Sequence, residues 1–171
     1  MTELKELMLQ PTRRTLAVAE SLTCGKVQAR VGTISGASEF FFGGITAYSL
    51  EQKVRHLGVD RAGAERVNSV SAAVAEQMAS GVCQLFGSEL GLATTGYAEP
   101  FDAAQGEVSP AAGKIQPFAF WGLAHVSGGK TTLRSGRVDC PGATRVQVQE
   151  KVAETVVAEL VKYLRELRGQ L

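Results

Sequence analysis

The sequence feature that most constrains the fold is a short apolar run near the N-terminus that leads into a polar turn. Residues 15–19 read Thr-Leu-Ala-Val-Ala, bounded by charged residues, which predicts a buried β-strand. The turn follows at residues 20–25, with the sequence Glu-Ser-Leu-Thr-Cys-Gly, and a helical segment then extends to about Val31. A strand, a tight turn and a helix in this order open an α/β unit, and α/β folds place ligands at such turns.

The remaining chain continues the alternation of strands and helices. Further strands are predicted at residues 44–48, 90–94, 118–126 and 131–138, the last two as a hairpin around residues 127–129. Helices are predicted at residues 2–9, 50–57, 72–86 and about 146–167. The sequence therefore predicts an α/β fold, a three-layer α/β/α single domain with a mixed, about five-stranded sheet.

The two longest predicted helices have one apolar face each. The helix at residues 72–86 is expected to bury Val74, Met78, Val82 and Leu85. The last helix carries an apolar residue at every fourth position, at Val148, Val152, Val156, Leu160 and Leu164. Between the strands, residues 101–116 are rich in Gly, Ala, Pro and polar residues and are predicted to be one long irregular stretch.

Length and composition restrict the function classes. A chain of 171 residues is long enough for one buried core and too short for two ordinary domains, so residues 1–171 are expected to form one domain. The net charge of +1 gives no global reason to bind nucleic acid or a membrane surface. The sequence contains no apolar run of about 18 residues and no signal-peptide pattern at its start, which favours a cytoplasmic location.

Cysteine and histidine are too sparse for a metal site or a disulfide framework. The chain has three distant cysteines, Cys24, Cys83 and Cys140, which are expected to be reduced thiols. With only His56 and His125, a site built on several imidazoles is excluded, and no metal or cofactor is expected. Any catalytic chemistry is therefore expected to use side chains with oxygen or amine groups.

The first polar turn has two interpretations. The hydroxyls of Ser21 and Thr23, together with backbone N–H groups at the helix start, could stabilise an oxyanion or a phosphate. Ser21 could also act as a nucleophile if a base reaches it. On this segment alone, however, an ordinary helix N-cap is the favoured explanation of the serine and threonine, because short Ser/Thr turns before helices are common.

Five segments resemble, in order and at similar spacing, those of CinA C-terminal domains, the nicotinamide-mononucleotide deamidases. Residues 19–25 (AESLTCG) resemble A-E-S-x-T-G-G, residues 36–41 (GASEFF) G-S-S-x-x-F, residues 44–53 (GITAYSLEQK) G-x-x-x-Y-S-N-x-x-K, and residues 95–100 (TGYAEP) S-G-I-A-G-P, while the pair at 70–71 (VS) precedes the long helix as in the family. The resemblance extends from about residue 14 to the last helix.

The resemblance implies a reaction and three catalytic residues. Members of this family hydrolyse the carboxamide of nicotinamide mononucleotide to a carboxylate and release ammonia. Ser21 matches the family's proposed nucleophile, Lys53 its lysine partner and Tyr48 its tyrosine. The chemistry is consistent with the residues present, because a serine hydroxyl needs a base and partial burial would lower the pKa of a lysine toward neutral pH.

The resemblance also implies a set of substrate-binding residues and the kind of partner. Thr23 and Thr95 are expected to hold oxyanion or ligand oxygens, and Arg145 is the expected phosphate ligand. The remaining members of the set are Gly25, Ser38 and Gly96. The implied partner is a small-molecule nucleotide, and the family favours a homodimer or higher homo-oligomer. Residues 40–42 (three Phe) could pair subunits or lie in the core.

Several positions depart from the family pattern. Cys24 replaces a glycine, Leu50 an asparagine, Tyr97 an isoleucine and Glu99 a glycine. Residues 101–116 differ throughout, one extra residue precedes Arg145, and Gln149 replaces a second arginine. Three alternatives stay open: a nicotinamide-mononucleotide deamidase with a remodelled pocket, a hydrolase of another small amide, or a non-catalytic paralogue that binds a nucleotide or a protein.

Overall fold

A mixed sheet of five strands forms the centre of the structure, a computed structural model that describes residues 2–102 and 114–169. The helices are α1 (Thr2–Met8), α2 (Lys26–Gly32), α3 (Leu50–Leu57), α4 (Arg61–Arg66), α5 (Ala72–Phe86) and α6 (Arg145–Arg168). The strands are β1 (Leu16–Glu20), β2 (Phe41–Thr46), β3 (Leu90–Tyr97), β4 (Phe101–Asp102), β5 (Lys114–Ile115), β6 (Phe118–Ser127) and β7 (Lys130–Asp139). A short 3₁₀ turn at Ala37–Glu39 precedes β2.

The strand order is β2-β1-β3-β6-β7, and a separate ribbon joins β4 to β5. β1 lies between β2 and β3 and is parallel to both, whereas β6 and β7 complete the sheet in antiparallel orientation. Glu20 at the end of β1 is in register with Thr46 on one side and Thr94 on the other. The carboxyl ends of the three parallel strands therefore form one border of the sheet, which we call the carboxyl edge.

Two apolar clusters cover the two faces of the sheet, as expected for three layers. Leu16 and Val18 face α1, α2 and α6, and the five apolar positions predicted for α6 are all buried there. Ala17 and Ala19 face α3, α4 and α5. Successive residues of β1 thus alternate between the faces, which fixes the direction of any residue that continues the strand.

Helix α5 lies close to the sheet because two strands present glycine to it. A Cβ atom at Gly91 would lie 2.1 Å from the Ala79 carbonyl oxygen, and one at Gly122 would lie 2.3 Å from that of Ala75. Both distances are far below van der Waals contact, so alanine at either position would push the helix outward.

The structure confirms the predicted fold class and corrects several details. Helix α4 was not predicted because its six residues are too few to show a periodicity; Asp60 caps it by accepting a hydrogen bond from the N–H of Gly63. Strand β2 begins at Phe41 and ends at Thr46, not at residues 44–48. Leu85 was expected on the buried face of α5 but is 47% exposed, since Phe86 takes the inward position four residues after Val82.

Two further predictions are answered only in part. Residues 101–116 were expected to be irregular, but the described ends form the ribbon β4–β5, and residues 103–113 lie outside the described residues. The three phenylalanines divide between core and surface, because Phe40 is fully buried whereas Phe42, on edge strand β2, is 49% exposed. Among the described helices, none is both long and apolar enough to cross a membrane.

Candidate functional site

The turn after β1 places Ser21 at the carboxyl edge. Ser21 continues the parallel ladder, because its N–H donates to the carbonyl of Thr94 at 3.1 Å. By strand alternation its side chain follows Ala17 and Ala19 toward the α3 and α5 face. The residue is 6% exposed, and its hydroxyl makes no hydrogen bond to any described residue. Ser21 is therefore a nearly buried residue whose hydroxyl has no hydrogen-bond partner among the described residues.

Glu20 fixes the conformation of this turn. Its carboxylate is fully buried and accepts hydrogen bonds from the backbone N–H groups of Gly25 (3.0 Å), Val27 (3.1 Å) and Gln28 (2.9 Å). A buried carboxylate requires such donors, and here the first turn of α2 supplies them. The expectation that the helix start offers free N–H groups to a substrate is therefore wrong for these three positions.

Two other backbone amides of the turn remain without a protein acceptor. Across residues 2–102 and 114–169, no group accepts a hydrogen bond from the N–H of Leu22 or Thr23. Both residues are buried, at 2% and 0% exposure. The N–H of the residue after a nucleophilic serine is a common oxyanion donor in hydrolases, and Leu22 occupies that position relative to Ser21.

Lys53 is a buried lysine on the first turn of α3. The N-cap residue Ser49 accepts a hydrogen bond from the Gln52 N–H, so the helix start is well defined. Lys53 is 3% exposed, and its Nζ donates to the backbone carbonyl of Tyr48 at 3.5 Å. Burial lowers the pKa of Lys53 from 10.5 to about 8, and no carboxylate of the described residues is paired with it. The amine is thus partly neutral near physiological pH.

Ser21 and Lys53 both follow the carboxyl ends of neighbouring parallel strands, Ser21 after β1 and Lys53 after β2. Lys53 belongs to α3, which packs on the face of Ala17 and Ala19, and β2 leads directly into that helix from the carboxyl edge. No hydrogen bond joins Ser21 Oγ and Lys53 Nζ, and Lys53 Nζ instead donates to the Tyr48 carbonyl. Such contacts often tighten only when substrate binds.

Tyr48, Arg145 and Glu99 form an exposed group that we call the rim. Arg145 lies on the first turn of α6, and its guanidinium donates to the Tyr48 hydroxyl at 2.7 Å and to the Glu99 carboxylate at 3.0 Å. Tyr48 is 53% exposed, and the side chains of Arg145 and Glu99 are also largely exposed. Tyr48 and Arg145, both predicted site residues, are thus in contact, but the Glu99 carboxylate of the same chain is already bound to the Arg145 guanidinium.

Thr95 occupies the strand position beside Ser21, and its hydroxyl donates to the Ser69 carbonyl at 2.7 Å. Ser69 and Asn68 both have positive φ angles, 60° and 48°, in the turn between α4 and α5. Such conformations are unfavourable for residues other than glycine and concentrate at functional sites. Asn68 also donates to the Tyr97 hydroxyl at 3.0 Å, so this strained turn links Thr95 to the next residues of the edge.

Three other predicted binding residues have structural roles at the edge. Thr23 is fully buried, and its hydroxyl shares a hydrogen bond of 2.7 Å with that of Thr94. Gly25 adopts φ 97° and gives its N–H to Glu20. A Cβ at Gly96 would lie 2.5 Å from the Cα of Ala119, so glycine there permits the pairing of β3 with β6.

Ser38 is not brought to the carboxyl edge. It is exposed on the 3₁₀ turn before β2, where Phe40 leads into the strand beside the start of β1. The neighbouring Glu39 pairs with Lys5 and Arg13 at that opposite border. Contrary to the expectation, Ser38 does not line the same pocket as Ser21 of its own chain, because the length of the parallel strands separates the two residues.

The altered residue Tyr97 belongs to an aromatic cluster. Its ring lies 3.9 Å from that of Phe101 and 5.6 Å from that of Phe118, measured between centroids. The other altered residue of the turn, Cys24, is exposed and adopts φ 49°, a conformation that favours glycine. Gln149 donates to the Leu22 carbonyl at 2.8 Å, so it supports the Ser21 turn from α6.

Sequence reasoning assigned no role to Glu20, Asn68, Ser69 or Gln149. An acidic residue at the end of an apolar strand is a signal that could have identified Glu20, because a carboxylate there must find donors. The other three depend on contacts between distant elements and carry no local signal. Within the described ranges, no three His, Cys, Asp or Glu side chains are grouped so that they could hold a metal ion.

Comparison with known proteins agrees with this architecture. A profile described as the CinA C-terminal domain matches residues 1–164. A CinA-like protein of Chlorobium limicola is 35% identical over 162 residues, which are 95% of this chain and 36% of that protein. A CinA-like protein of Picosynechococcus is 44% identical over 93 residues, 54% of this chain and 22% of that protein. The chain thus spans about a third or less of the length of these curated relatives.

Solved structures show the same fold. A competence-damaged protein (CinA) superfamily protein from Enterobacter cloacae has a TM-score of 0.78 at 25% identity, with 95% of this chain and 89% of that chain covered. A CinA superfamily protein from Klebsiella pneumoniae has a TM-score of 0.79 at 21% identity, over 96% and 95% of the two chains, and this likeness concerns the fold alone. The chain belongs to the family of CinA C-terminal domains.

Proposed function

We propose that this chain is an amidohydrolase that converts the carboxamide of nicotinamide mononucleotide to the carboxylate and releases ammonia. The observation that carries the proposal is Lys53, a buried lysine that has no ion pair with any described residue and whose pKa is lowered to about 8 by desolvation. Lys53 and the nearly buried residue Ser21 follow the carboxyl ends of two neighbouring parallel strands, β2 and β1. A serine beside an amine that can lose its proton is an activated nucleophile.

The proposed reaction has two steps. Ser21 Oγ attacks the carboxamide carbon while Lys53 Nζ takes the hydroxyl proton, and Lys53 then returns a proton to the leaving nitrogen so that ammonia departs. A water molecule next attacks the acyl ester, with Lys53 again as the base, which releases the carboxylate and regenerates Ser21. The Leu22 and Thr23 N–H groups are the proposed donors to the oxyanion, since both lack a protein acceptor in the described chain.

Tyr48 contributes to the proposed site in two ways. Its backbone carbonyl holds the Lys53 amine at 3.5 Å in the unliganded chain, and its hydroxyl holds Arg145. The proposed path of Lys53 is therefore a short rotation from this carbonyl toward Ser21 when substrate enters. A small-molecule nucleotide is the proposed substrate, with Arg145 as the proposed contact to its phosphate.

A second candidate function is a nucleotide-binding module without turnover. It is favoured by the contact of Lys53 Nζ with the Tyr48 carbonyl and by the pairing of Arg145 with Glu99. This alternative predicts that nicotinamide mononucleotide raises the melting temperature without release of ammonia. Hydrolysis of another small amide is distinguished by ammonia release from that amide but not from the mononucleotide.

The test is ammonia release from nicotinamide mononucleotide by the purified chain. We expect turnover by the wild type and its loss in Ser21→Ala and Lys53→Ala. Matched controls are Ser127→Ala and Lys162→Ala, because both side chains are exposed and distant in sequence from the site. Absence of turnover in the wild type, or turnover that survives both site substitutions, contradicts the proposal.

A further inference from the structure

The rim differs from the rest of the carboxyl edge because its cation is bound by an acid of the same chain. Arg145 uses one terminal nitrogen for Glu99, at 3.0 Å, and the other for the Tyr48 hydroxyl, at 2.7 Å. A guanidinium with these two nitrogens free would offer a planar fork suited to phosphate. Here the Glu99 carboxylate holds one nitrogen of that fork.

Two other cations near this edge are not free alternatives. Lys53 is buried and contacts the Tyr48 carbonyl. Lys26, at the start of α2, is ion-paired with Glu150 of α6, which also binds Arg30. Arg145 links Glu99, in the loop after β3, to Tyr48, which precedes α3.

We propose that Glu99 is a specificity-determining residue that reduces the preference of the site for a phosphorylated over an unphosphorylated nicotinamide nucleoside. This inference rests on the proposed function. A phosphate must displace Glu99 from Arg145, and the displaced carboxylate remains near the phosphate and repels it. A nucleoside without a phosphate does not compete with Glu99 for Arg145, so its binding does not require this displacement.

The exposure of the pair makes this control graded. Glu99 and Arg145 have side-chain exposures of 63% and 43%, and ion pairs in such surroundings are weak. Glu99 therefore lowers the affinity for phosphate without closing the site. We expect an effect of about tenfold, which is typical of a single partly screened charge.

The first experiment compares kcat/KM for nicotinamide mononucleotide and nicotinamide riboside in the wild type and in Glu99→Gln. We expect the wild type to use the two substrates within about threefold of each other. Glu99→Gln, which keeps the shape but removes the charge, should raise kcat/KM for the mononucleotide about tenfold and leave that for the riboside within twofold. The control is Glu166→Gln. Glu166 lies near the end of α6, and its exposed carboxylate is paired with Arg134 of β7, so its loss should change kcat/KM for neither substrate. Equal changes for both substrates in Glu99→Gln overturn the inference.

A second measurement tests the role of Glu99 even if the chain hydrolyses neither the mononucleotide nor the riboside. Inorganic phosphate is titrated calorimetrically into the wild type, Glu99→Gln and the double variant Glu99→Gln/Arg145→Gln. We expect phosphate to bind Glu99→Gln about tenfold more tightly than the wild type, and the double variant to lose this gain. Phosphate binding that is the same in the wild type and Glu99→Gln, absence of binding included, overturns the role of Glu99. Loss of turnover alone contradicts only the proposed function.

Discussion

The two halves of the candidate site are built in opposite ways. The turn that carries Ser21 is buried, and the fully enclosed Glu20 carboxylate holds it through three backbone N–H groups. The rim is exposed, and Arg145 is held there by side chains from two other elements. The conformation of the turn is determined by hydrogen bonds to the backbone, whereas the rim depends on contacts between exposed side chains.

This difference indicates which half can change without loss of the fold. A buried carboxylate with three donors cannot be replaced without leaving unpaired polar groups, and such groups are costly. An exposed ion pair contributes little to stability, so its members can be exchanged freely. The departure Glu99 lies in the rim, whereas the departure Cys24 lies in the turn, where the three hydrogen bonds of Glu20 are nevertheless present. Reaction type is therefore expected to be more robust than substrate choice.

The largest expected effect comes from Lys53→Met. Loss of the amine should reduce ammonia release by about 10³-fold or more, because a general base contributes on the order of 10²–10⁴-fold and the serine is inert without it. The same substitution should raise the melting temperature by a few degrees at pH 7, since it removes a buried amine that is mostly protonated there. Calorimetry and the ammonia assay measure both effects.

A control isolates the buried amine as the cause. Lys162→Met, on the exposed face of α6, should leave activity and melting temperature unchanged. The wild type should also gain stability between about pH 8 and 10.5, where the unfolded chain binds a proton that folded Lys53 has lost, and Lys53→Met should lack this gain. A lower melting temperature for Lys53→Met would show that the amine stabilises the fold.

The next effect is on stability and concerns Glu20→Ala. Removing the acceptor of three buried N–H groups should lower the free energy of unfolding by about 2–4 kcal/mol, measured by urea denaturation. Glu20→Gln, which keeps one carbonyl acceptor, should lie between Glu20→Ala and the wild type. Glu51→Gln is the matched control, because the exposed Glu51–Arg61 pair should contribute less than about 1 kcal/mol. Equal losses at both positions would remove the distinction between the buried turn and the surface.

A smaller effect is expected from pH. In the proposed reaction the neutral form of Lys53 is the base, and burial lowers the pKa of Lys53 from 10.5 to about 8. Below this pKa, kcat/KM should rise roughly tenfold per pH unit as the amine loses its proton, and it should level off above about pH 8. A profile measured on the mononucleotide between pH 6 and 9.5 tests this. A flat profile below pH 8 would exclude Lys53 as the base.

The smallest effect is expected from Tyr48→Phe. The substitution removes the hydroxyl that accepts from Arg145 but keeps the backbone carbonyl that accepts from Lys53. We expect kcat to change less than about fivefold, a loss below ~1 kcal/mol, with the larger part of any change in KM for the mononucleotide. A loss of kcat as large as that of Lys53→Met would place the Tyr48 hydroxyl in the chemical step and contradict the division of the site.

Much of the fold could be predicted from local patterns. The five strands of the sheet and the long helices α5 and α6 follow from apolar runs, helical periodicity and turn residues. Helix α4 could not be predicted because six residues contain less than two turns of pattern. Leu85 was placed on the wrong face because spacings of three and four are both compatible with one helix face until a neighbour selects one of them.

The sequence by itself determined the order of elements, the strand–turn–helix around Ser21 and the presence of Lys53 after a strand. The tertiary structure decided which polar groups meet. It pairs Glu99 with Arg145 and hydrogen-bonds Thr95 to the Ser69 carbonyl. It also places Lys53 Nζ at the Tyr48 carbonyl and Ser38 at the border opposite the carboxyl edge. The physical reason is that strands and helices depend on neighbours along the chain, whereas hydrogen bonds and burial depend on sheet order and on which segments pack together. The pKa of Lys53 belongs to the second group, because it is the enclosure of the amine that lowers it.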